Sequence, residues 1–330
     1  MTISEALVRV GPFLLRPCGA EDMAFVADLF TALDPDEPAD PEIMRYRWEN
    51  PPAQQRREAY VVERDGAAVG YVEQEHVPWE KLPRRYAWTF ADLVPELRTP
   101  AHLAPLTSFV EERARADGAE VFATWARETD ASALAFLESI GYVRERLGRG
   151  WELDLTANRE RIASMADASC GRMRREGIAM LTLDRERDPD RHQKVWRALE
   201  EQMSDVPTTI PFVSPGYDYF RRWLIRPGQR EDRIWIAKAG DEVAGISLLR
   251  YPPIRGNVST AWTGVSRAFR GRGVARALKL ETLVQAIALG IRLVRTGNDS
   301  QNAPILHLNE QMGYTPVPGW IQFLKPVEAS

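Results

Sequence analysis

Cysteine and histidine are both scarce in this chain of 330 residues. The two cysteines, Cys18 and Cys170, lie far apart and form no Cys-x-x-Cys pair. We therefore expect no disulfide framework, which indicates a reducing and hence cytoplasmic compartment. The four histidines show neither His-x-x-x-His nor His-Glu-x-x-His spacing, so the sequence predicts no metal site.

The sequence also lacks long apolar runs and an excess of positive charge. No apolar run approaches the roughly 18–20 residues that a membrane-spanning helix needs, so we expect no membrane partner. Glu5 and Arg9 place charges too early for a signal peptide. The formal net charge is −4, whereas a nucleic-acid partner would require a basic face. These absences favour a soluble globular protein, and its length suits two domains of ordinary size.

The two halves of the chain repeat one pattern. AYVVERDGAAVGYV (59–72) and IWIAKAGDEVAGISLL (234–249) each have two apolar runs around a charged turn that contains glycine, which predicts a β-hairpin. TWARETDASALAFLESIGY (124–142) and TGNDSQNAPILHLNEQMGY (296–314) align without a gap at an offset of 172 residues. Each predicts a strand end, a polar loop, an amphipathic helix and a glycine that ends the helix.

This repeat defines the predicted fold class and its domains. The common unit is αα-β-β-β-α-β-α-β, an α/β domain with a mixed sheet. We expect one such domain over residues 1–154 and a second over residues 178–330. The stretch between them, 155–177, is polar, largely helical and free of motifs, so we interpret it as a helical linker.

A glycine-rich turn joins a predicted strand to a predicted helix in the second half. STAWTGV (259–265) has the β-branched and aromatic character of a strand, and RGRGVA leads from it into an apolar helix. Such a turn leaves several backbone N–H groups unpaired at one point, where the helix dipole adds positive potential. Gly271 and Gly273 allow close approach of the backbone, and three arginines add charge: Arg270, Arg272 and Arg276. The pattern predicts a pyrophosphate site, with a cationic surface turn as the alternative.

The turn matches one known phosphate-binding pattern better than two others. A dinucleotide-binding Gly-x-Gly-x-x-Gly loop would need Gly or Ala at position 276, and the P-loop pattern is absent. Arg270-x-x-Gly273-x-Ala275 resembles the R/Q-x-x-G-x-G/A loop of the GNAT acyltransferase superfamily. Residues 296–314 resemble its second signature, an Asn-containing strand end followed by a helix and a Gly-aromatic pair. The whole chain resembles the tandem GNAT proteins, a group that includes mycothiol synthase.

The resemblance implies a V-shaped split between two parallel strands that holds acetyl-CoA as the cosubstrate. Backbone groups of the first strand would bind the pantetheine arm, and the amides of the turn would bind the pyrophosphate. Two asparagines would touch the CoA arm from the other side, although each could instead serve as a loop or N-cap residue. The implied cofactor-binding residues are Thr263, Gly264, Val265, Arg270, Gly271, Arg272, Gly273, Val274, Ala275, Arg276, Asn298 and Asn302.

The first half does not carry a copy of this turn. At the offset of 172 residues, 270–275 corresponds to RTPAHL (98–103), in which Thr99 and Ala101 replace the glycines. Pro100 has no N–H group to donate, and Asp130 stands where Asn302 stands in the second half. We therefore expect the N-terminal domain to keep the fold and to lack the cofactor site.

The catalytic groups are less clearly marked than the cofactor loop. Acyl transfer to an amine needs a neutral nucleophile, stabilisation of the oxyanion and a proton for the leaving thiolate. Asp205 is a candidate for attracting the amine or relaying its proton. Many GNAT proteins place a tyrosine acid four residues before the last-motif glycine, where this chain has Asn309. Tyr314 is the neighbouring candidate for the acid.

Three functions remain open at this point. The first is an acetyl-CoA-dependent N-acetyltransferase for a small amine or aminated metabolite, acting as a monomer or a homodimer. The second is a regulatory module that binds acyl-CoA without turnover. The third is a GNAT-like enzyme that uses another acyl-CoA or decarboxylates it.

Overall fold

The computed structural model describes residues 7–327 and divides them into two compact units. Unit 1 comprises residues 7–147, 254–256 and 320–327, and unit 2 comprises residues 148–253 and 257–319. Residues 1–6 and 328–330, at the two ends of the expected domains, lie outside the described range.

Unit 1 consists of helices packed on a sheet, built from the first half of the chain. Its elements are β1 (Val8–Val10), β2 (Phe13–Pro17), α1 (Met23–Leu33), α2 (Pro41–Glu49), β3 (Arg56–Arg64), β4 (Ala67–His76), β5 (Tyr86–Leu93), α3 (Pro100–Asp117), β6 (Val121–Arg127) and α4 (Ala131–Ser139). The next strand, β7 (Val143–Asp154), begins in unit 1 and ends in unit 2.

Unit 2 begins with a helix where unit 1 begins with β1, and it then repeats the order that unit 1 has from β2 onward. Its elements are α5 (Arg159–Arg175), β8 (Ile178–Thr182), α6 (Arg191–Ser204), α7 (Tyr217–Leu224), β9 (Ile234–Ala239), β10 (Glu242–Arg250), β11 (Ser259–Val265), α8 (Val274–Ala288), β12 (Leu293–Asp299) and α9 (Ala303–Met312). The last strand, β13 (Thr315–Pro326), begins in unit 2 and ends in unit 1.

Each unit has a mixed sheet, and the predicted fold class is therefore confirmed. In unit 1 the order is β1-β2-β3-β4-β5-β6-β13, and in unit 2 it is β7-β12-β11-β10-β9-β8. The pairs β5–β6 and β11–β12 are parallel. The two predicted hairpins are present as the antiparallel pairs β3–β4 and β9–β10.

The sequence pattern missed one strand per repeat. A short strand precedes the helix pair in each half: β2 pairs with β3, and β8 pairs with β9. Each has five residues, which is too short for its alternation to stand out from flanking polar sequence.

The last strand of each unit comes from a distant part of the sequence. In unit 1, Trp320–Pro326 of β13 pairs antiparallel with β6. In unit 2, residues 148–154 of β7 pair antiparallel with β12. The compact units are therefore not the contiguous segments 1–154 and 178–330.

The segment expected to be a linker is a packed element of unit 2. Its helix α5 lies against α8, and it buries Ile162, Ala166 and Met173 in the core. A polar helix with one buried stripe is typical of a surface helix on a domain. Across the described residues, no helix is both long enough and apolar enough to cross a lipid bilayer.

Candidate functional site

The glycine-rich turn has the backbone geometry of an anion site. Gly271 and Gly273 have φ angles of 74° and 87°, in the left-handed region that favours glycine. Gly273 is the N-cap of α8, and no side chain in the described structure caps this helix. A Cβ atom built on Gly271 meets no described atom within 4 Å. The first-turn amides of α8 therefore have no side-chain cap among the described residues and lie at the positive end of the helix dipole.

The two parallel strands beside this turn separate. In the part of the chain that the structure describes, the β11–β12 ladder has a single Cα pair, Ser259 with Arg295. Further along, Thr263, Gly264 and Val265 pair on their other side with β10. Their edge toward β12 thus has no strand partner among the described residues, which leaves a cleft beside the glycine turn.

Four arginines and three carboxylates surround the N-terminus of α8. Asp205 accepts from Arg267 Nε at 2.8 Å and from an Arg270 guanidinium nitrogen at 2.5 Å. Glu176 in the same way accepts from Arg172 at 2.8 Å and from Arg272 at 3.0 Å. A third carboxylate, Glu201, accepts from Arg267 N at 2.7 Å, so the four arginines exceed the three carboxylates by one positive charge.

Arg276 adds a further cation to the first turn of α8. Its guanidinium lies 3.3 Å from the side-chain oxygen of Gln311, a neutral group that does not cancel its charge. The turn predicted to bind pyrophosphate is therefore cationic as well as rich in unsatisfied amides.

The ion pairs limit what Asp205 can do as a base. Hydrogen bonds from Arg267 and then from Arg270 hold the pKa of Asp205 below its ordinary range. A carboxylate with a lowered pKa is a weak proton acceptor. In this structure Asp205 instead fixes the position of Arg270, one of the predicted pyrophosphate ligands.

Asn309 lies in a buried polar network that the sequence did not reveal. It is 0% exposed, its side-chain oxygen accepts from Lys279 Nζ, and its Nδ2 donates to Asn298 Oδ1 at 2.7 Å. Lys279 is itself 1% exposed, and burial lowers its pKa to about 7. The structure thus links two predicted site residues, Asn298 and Asn309, to a buried lysine.

Tyr314 lies next to the same network. Its ring centroid is 4.5 Å from Lys279 Nζ, and the side chain is packed in the apolar core that α5 and α8 form. Burial raises the pKa of the Tyr314 phenol above its ordinary value, which makes it a weaker acid. This surrounding is more typical of a core tyrosine than of a proton donor.

Asn302 and its counterpart in unit 1 differ in how they use their side chains. Asn302 is the N-cap of α9, but its side chain makes no capping hydrogen bond within the described residues. In unit 1, Asp130 caps α4 by accepting from Ala133 N at 2.9 Å. Asn302 therefore keeps its amide available to a ligand, as the resemblance requires.

Two residues at the site, Arg172 and Gln202, lie outside the sequence motifs and were not predicted. Arg172 lies on α5, and a Cβ atom built on Gly273 would lie 3.4 Å from its guanidinium nitrogen. Gln202 on α6 is buried and accepts from Trp262 Nε1 at 2.9 Å. A Cβ atom on Gly264 would lie 2.3 Å from Gln202 Oε1, so this close approach requires glycine. The basic end of α5, RMRR, was the available signal for Arg172.

The corresponding turn of unit 1 is closed by its own side chains. Thr99 caps α3 through its side chain, and Pro100 occupies the first helical position. Arg98 bonds Asp92 through two nitrogens at 2.7 and 2.9 Å, and it bonds Asp130 at 2.5 Å. Carboxylates and an ion pair therefore occupy the region that is cationic and open in unit 2.

Comparison with known proteins fits this geometry. The model of the acetyltransferase (GNAT) family matches residues 194–314, the part of the chain that contains the glycine turn and Asn309. Residues 194–314 form a GNAT acetyltransferase domain. The match identifies an acyltransferase-type domain over those residues alone. A search of the curated proteins found no relative of the sequence.

Solved structures resemble the chain over nearly its whole length. A tandem GNAT protein from the clavulanic acid biosynthesis pathway has a TM-score of 0.72 at 19% identity, covering 96% of this chain and 99% of that chain. A GCN5-related N-acetyltransferase from Sphaerobacter thermophilus has a TM-score of 0.64 at 22% identity, with 97% of both chains covered. At these identities the likeness shows only that this chain shares the fold of these two proteins.

Proposed function

We propose that the protein is an acetyl-CoA-dependent N-acetyltransferase that acts on a small amine or aminated metabolite, with its cofactor site in unit 2. The observation that carries this proposal is the uncapped, glycine-lined N-terminus of α8 beside two parallel strands that separate after one pair. Such a cleft offers an edge of strand for a pantetheine amide and a cationic helix end for a pyrophosphate.

Each part of the cleft then has a role toward the cosubstrate. Gly271, Gly273 and the amides of Val274 to Arg276 would hold the pyrophosphate. Arg270, Arg272 and Arg276 would supply positive charge, while the free edge of Thr263 to Val265 would bind the pantetheine arm. Asn298 and Asn302 would contact that arm from β12 and α9. The glycine conformations and the uncapped helix support these assignments.

The reaction is the direct transfer of an acetyl group. The neutral amine nitrogen attacks the thioester carbonyl carbon, a C–N bond forms and the C–S bond breaks. The amine loses a proton, and the thiolate leaving group gains one. A backbone N–H near Val265 would stabilise the oxyanion. Asn309 is buried and bonded to Lys279 and Asn298, so it would act on the sulfur side of the cleft through this network, and its amide has no useful acidity.

One feature of the structure favours a second candidate, a module that binds acyl-CoA without turnover. Asp205 is a weakened base and Tyr314 a weakened acid, for the reasons given above. An assay of free CoA release from acetyl-CoA, run over a panel of amines, distinguishes the two functions. Release that depends on the amine supports the enzyme, and binding without release supports the regulatory module.

The cofactor site is tested by a matched pair of variants, Gly271→Asp and Gly271→Asn. Both side chains tolerate the left-handed conformation about equally, and both enter open space. They differ in one charge, which faces the pyrophosphate in the Asp variant alone. We expect calorimetry to show far weaker binding of acetyl-CoA to Gly271→Asp than to Gly271→Asn. Equal affinities would contradict a phosphate site at this turn.

The cellular setting and assembly belong to the same proposal. Cys18 and Cys170 are both free, which supports the cytoplasm as the compartment. We propose that the protein works as a monomer or a homodimer.

A further inference from the structure

Unit 1 contains a cavity of about 580 Å³ in the cleft that corresponds to the cofactor cleft of unit 2. The parallel pair β5–β6 has three Cα pairs, which end at Trp88 and Ala123. Beyond them the two strands continue to Leu93 and Arg127 without pairing with each other, and residues of these strand ends line the cavity. A cavity of this size suits a ligand of a few hundred daltons.

This cavity is unsuited to CoA. The bidentate Arg98–Asp92 pair and the Arg98–Asp130 bond fill the end where unit 2 has its open glycine turn. A phosphate placed there would meet the Asp130 carboxylate and a helix whose first residue is Pro100, which has no N–H group. Units 1 and 2 therefore have the cleft in common, but the residues of the unit 1 cleft do not suit a phosphate group.

The wall of the cavity is acidic. Its carboxylates are Asp34, Glu37, Glu73, Glu75, Asp92 and Asp130, and its cations are Arg47, Arg98 and Arg127. Arg98 and Arg127 are committed to Asp92, Asp130 and Asp34. When Arg57, which bonds two of these carboxylates, is included, six carboxylates face four arginines, so the wall keeps a small excess of negative charge.

Glu73 and Glu75 form one part of this wall, and the charges of both Arg57 and Arg47 act on Glu73. The two glutamates lie two residues apart on β4, on the same face of the strand, and they share one guanidinium. Arg57 Nε is 3.0 Å from Glu73 and 3.4 Å from Glu75. Burial, followed by the charge of Glu75, raises the pKa of Glu73 to about 7. A positive charge brought to this point from the cavity would therefore favour the ionised form of Glu73.

Aromatic side chains form much of the remaining wall. Trp88 and Trp125 stack with their ring centroids 5.9 Å apart, and Phe30 contacts Phe90 edge to face. Trp125 is 43% exposed and Trp320 is 39% exposed, although both are large apolar residues that line the cavity. Aromatic faces beside carboxylates are the surroundings in which proteins bind organic ammonium groups.

We propose that the cleft of unit 1 is a second ligand site, which binds an organic amine with an aromatic or apolar body. The ammonium group binds Glu73 and Glu75 from the cavity, which these two residues line and Arg57 does not, and the body of the ligand lies against Trp88 and Trp125. This site is independent of the cofactor site proposed for unit 2, since every residue that forms it belongs to unit 1.

The experiment compares two probes that share one body and differ in charge. Phenethylamine and 3-phenylpropanoate are titrated by calorimetry into the full-length protein. We expect phenethylamine to bind with a dissociation constant of about 1 mM or tighter, which is reasonable for its size. We expect 3-phenylpropanoate to bind at least tenfold more weakly. Equal binding of the two, or no binding of phenethylamine, would overturn the proposal.

Variants then locate the site. The double variant Glu73→Gln and Glu75→Gln keeps the shape of the wall and removes its charge, and it should weaken phenethylamine binding at least tenfold. Trp125→Leu changes an exposed side chain, so folding is not at risk, and it should weaken binding about threefold to tenfold. Glu242→Gln, at an exposed position of unit 2, is the matched control and should bind phenethylamine normally.

The outcome separates this proposal from the proposed function. Gly271→Asp should lose acetyl-CoA binding and keep phenethylamine binding. The double glutamine variant should keep acetyl-CoA binding and lose most of its phenethylamine binding. Full phenethylamine binding by the double glutamine variant would place the amine elsewhere in the protein and refute the proposal, whatever happens to acetyl-CoA.

Discussion

Replacing Lys279 with methionine should change how the stability of the protein depends on pH. Methionine has a similar length and carries no charge, so Lys279→Met keeps the packing of α8 and removes the titrating group. The folded-state pKa of Lys279 is about 7, against an ordinary value of 10.5. Between these values the unfolded chain binds more protons than the folded chain. The free energy of unfolding therefore rises with pH through this window.

The magnitude follows from the two pKa values. Near pH 7 the folded lysine is about half protonated, and by pH 9 it is almost neutral, while the unfolded lysine stays charged. Integration over this interval gives a gain of about 2 kcal/mol in the free energy of unfolding from this one group. Because Lys279 is 1% exposed, little solvent screening reduces this value.

Urea denaturation of both proteins at pH 7 and pH 9, followed by circular dichroism, measures the effect. The wild type and Lys279→Met differ in their free energy of unfolding, and this difference should change by about 2 kcal/mol between pH 7 and pH 9. The other titrating groups are the same in both proteins, so their contributions cancel. Lys81→Met alters an exposed lysine and should leave the wild-type dependence intact. If the free energy of unfolding of Lys279→Met depends on pH as that of the wild type does, then Lys279 stays protonated in the folded protein and the reasoning is wrong.

Two further predictions concern the cofactor site and Asn309. Calorimetric titration with acetyl-CoA should give a stoichiometry near one per chain, because Arg98 and Asp130 close the cleft of unit 1 to phosphate; a value near two would contradict this. Asn309→Ala should lower turnover by roughly tenfold or less, the effect of one lost hydrogen bond. It should also lower the free energy of unfolding by about 1–3 kcal/mol, because Lys279 loses its acceptor. The pH profile of turnover should keep its shape, and an alkaline limb that disappears only in Tyr314→Phe would assign the acid to Tyr314.

The parts of the fold that were predictable are local in the sequence. A turn, a hairpin or a helix with its glycine end is determined by neighbouring residues, so the glycine turn and both hairpins could be recognised directly. The internal repeat and the GNAT resemblance depend on the same kind of pattern. By contrast, the pairing of Trp320–Pro326 with β6 joins residues about two hundred positions apart, and no local pattern indicates it.

Two features of the site were hidden for a related reason. Lys279 lies within an apolar helix whose spacing indicates burial, yet a lysine is ordinarily expected to reach solvent. Its partner, Asn309, is thirty positions away. The helix α5 looked like a linker because Ile162, Ala166 and Met173 are spaced among many charged residues. Its role at the glycine turn depends on Arg172, whose contact exists only once α5 packs on α8.

The position of β13 has a consequence for synthesis of the protein. The first 147 residues of unit 1 leave the ribosome before its sheet can be completed, because the strand that pairs with β6 is Trp320–Pro326. Translation adds about 5–20 residues per second, so Trp320–Pro326 is synthesised about 10–40 s after β6. During this interval the edge of β6 is open to other chains, and a truncation before residue 320 would make the exposure permanent. Loss of Trp320–Pro326 would therefore appear first as aggregation of unit 1.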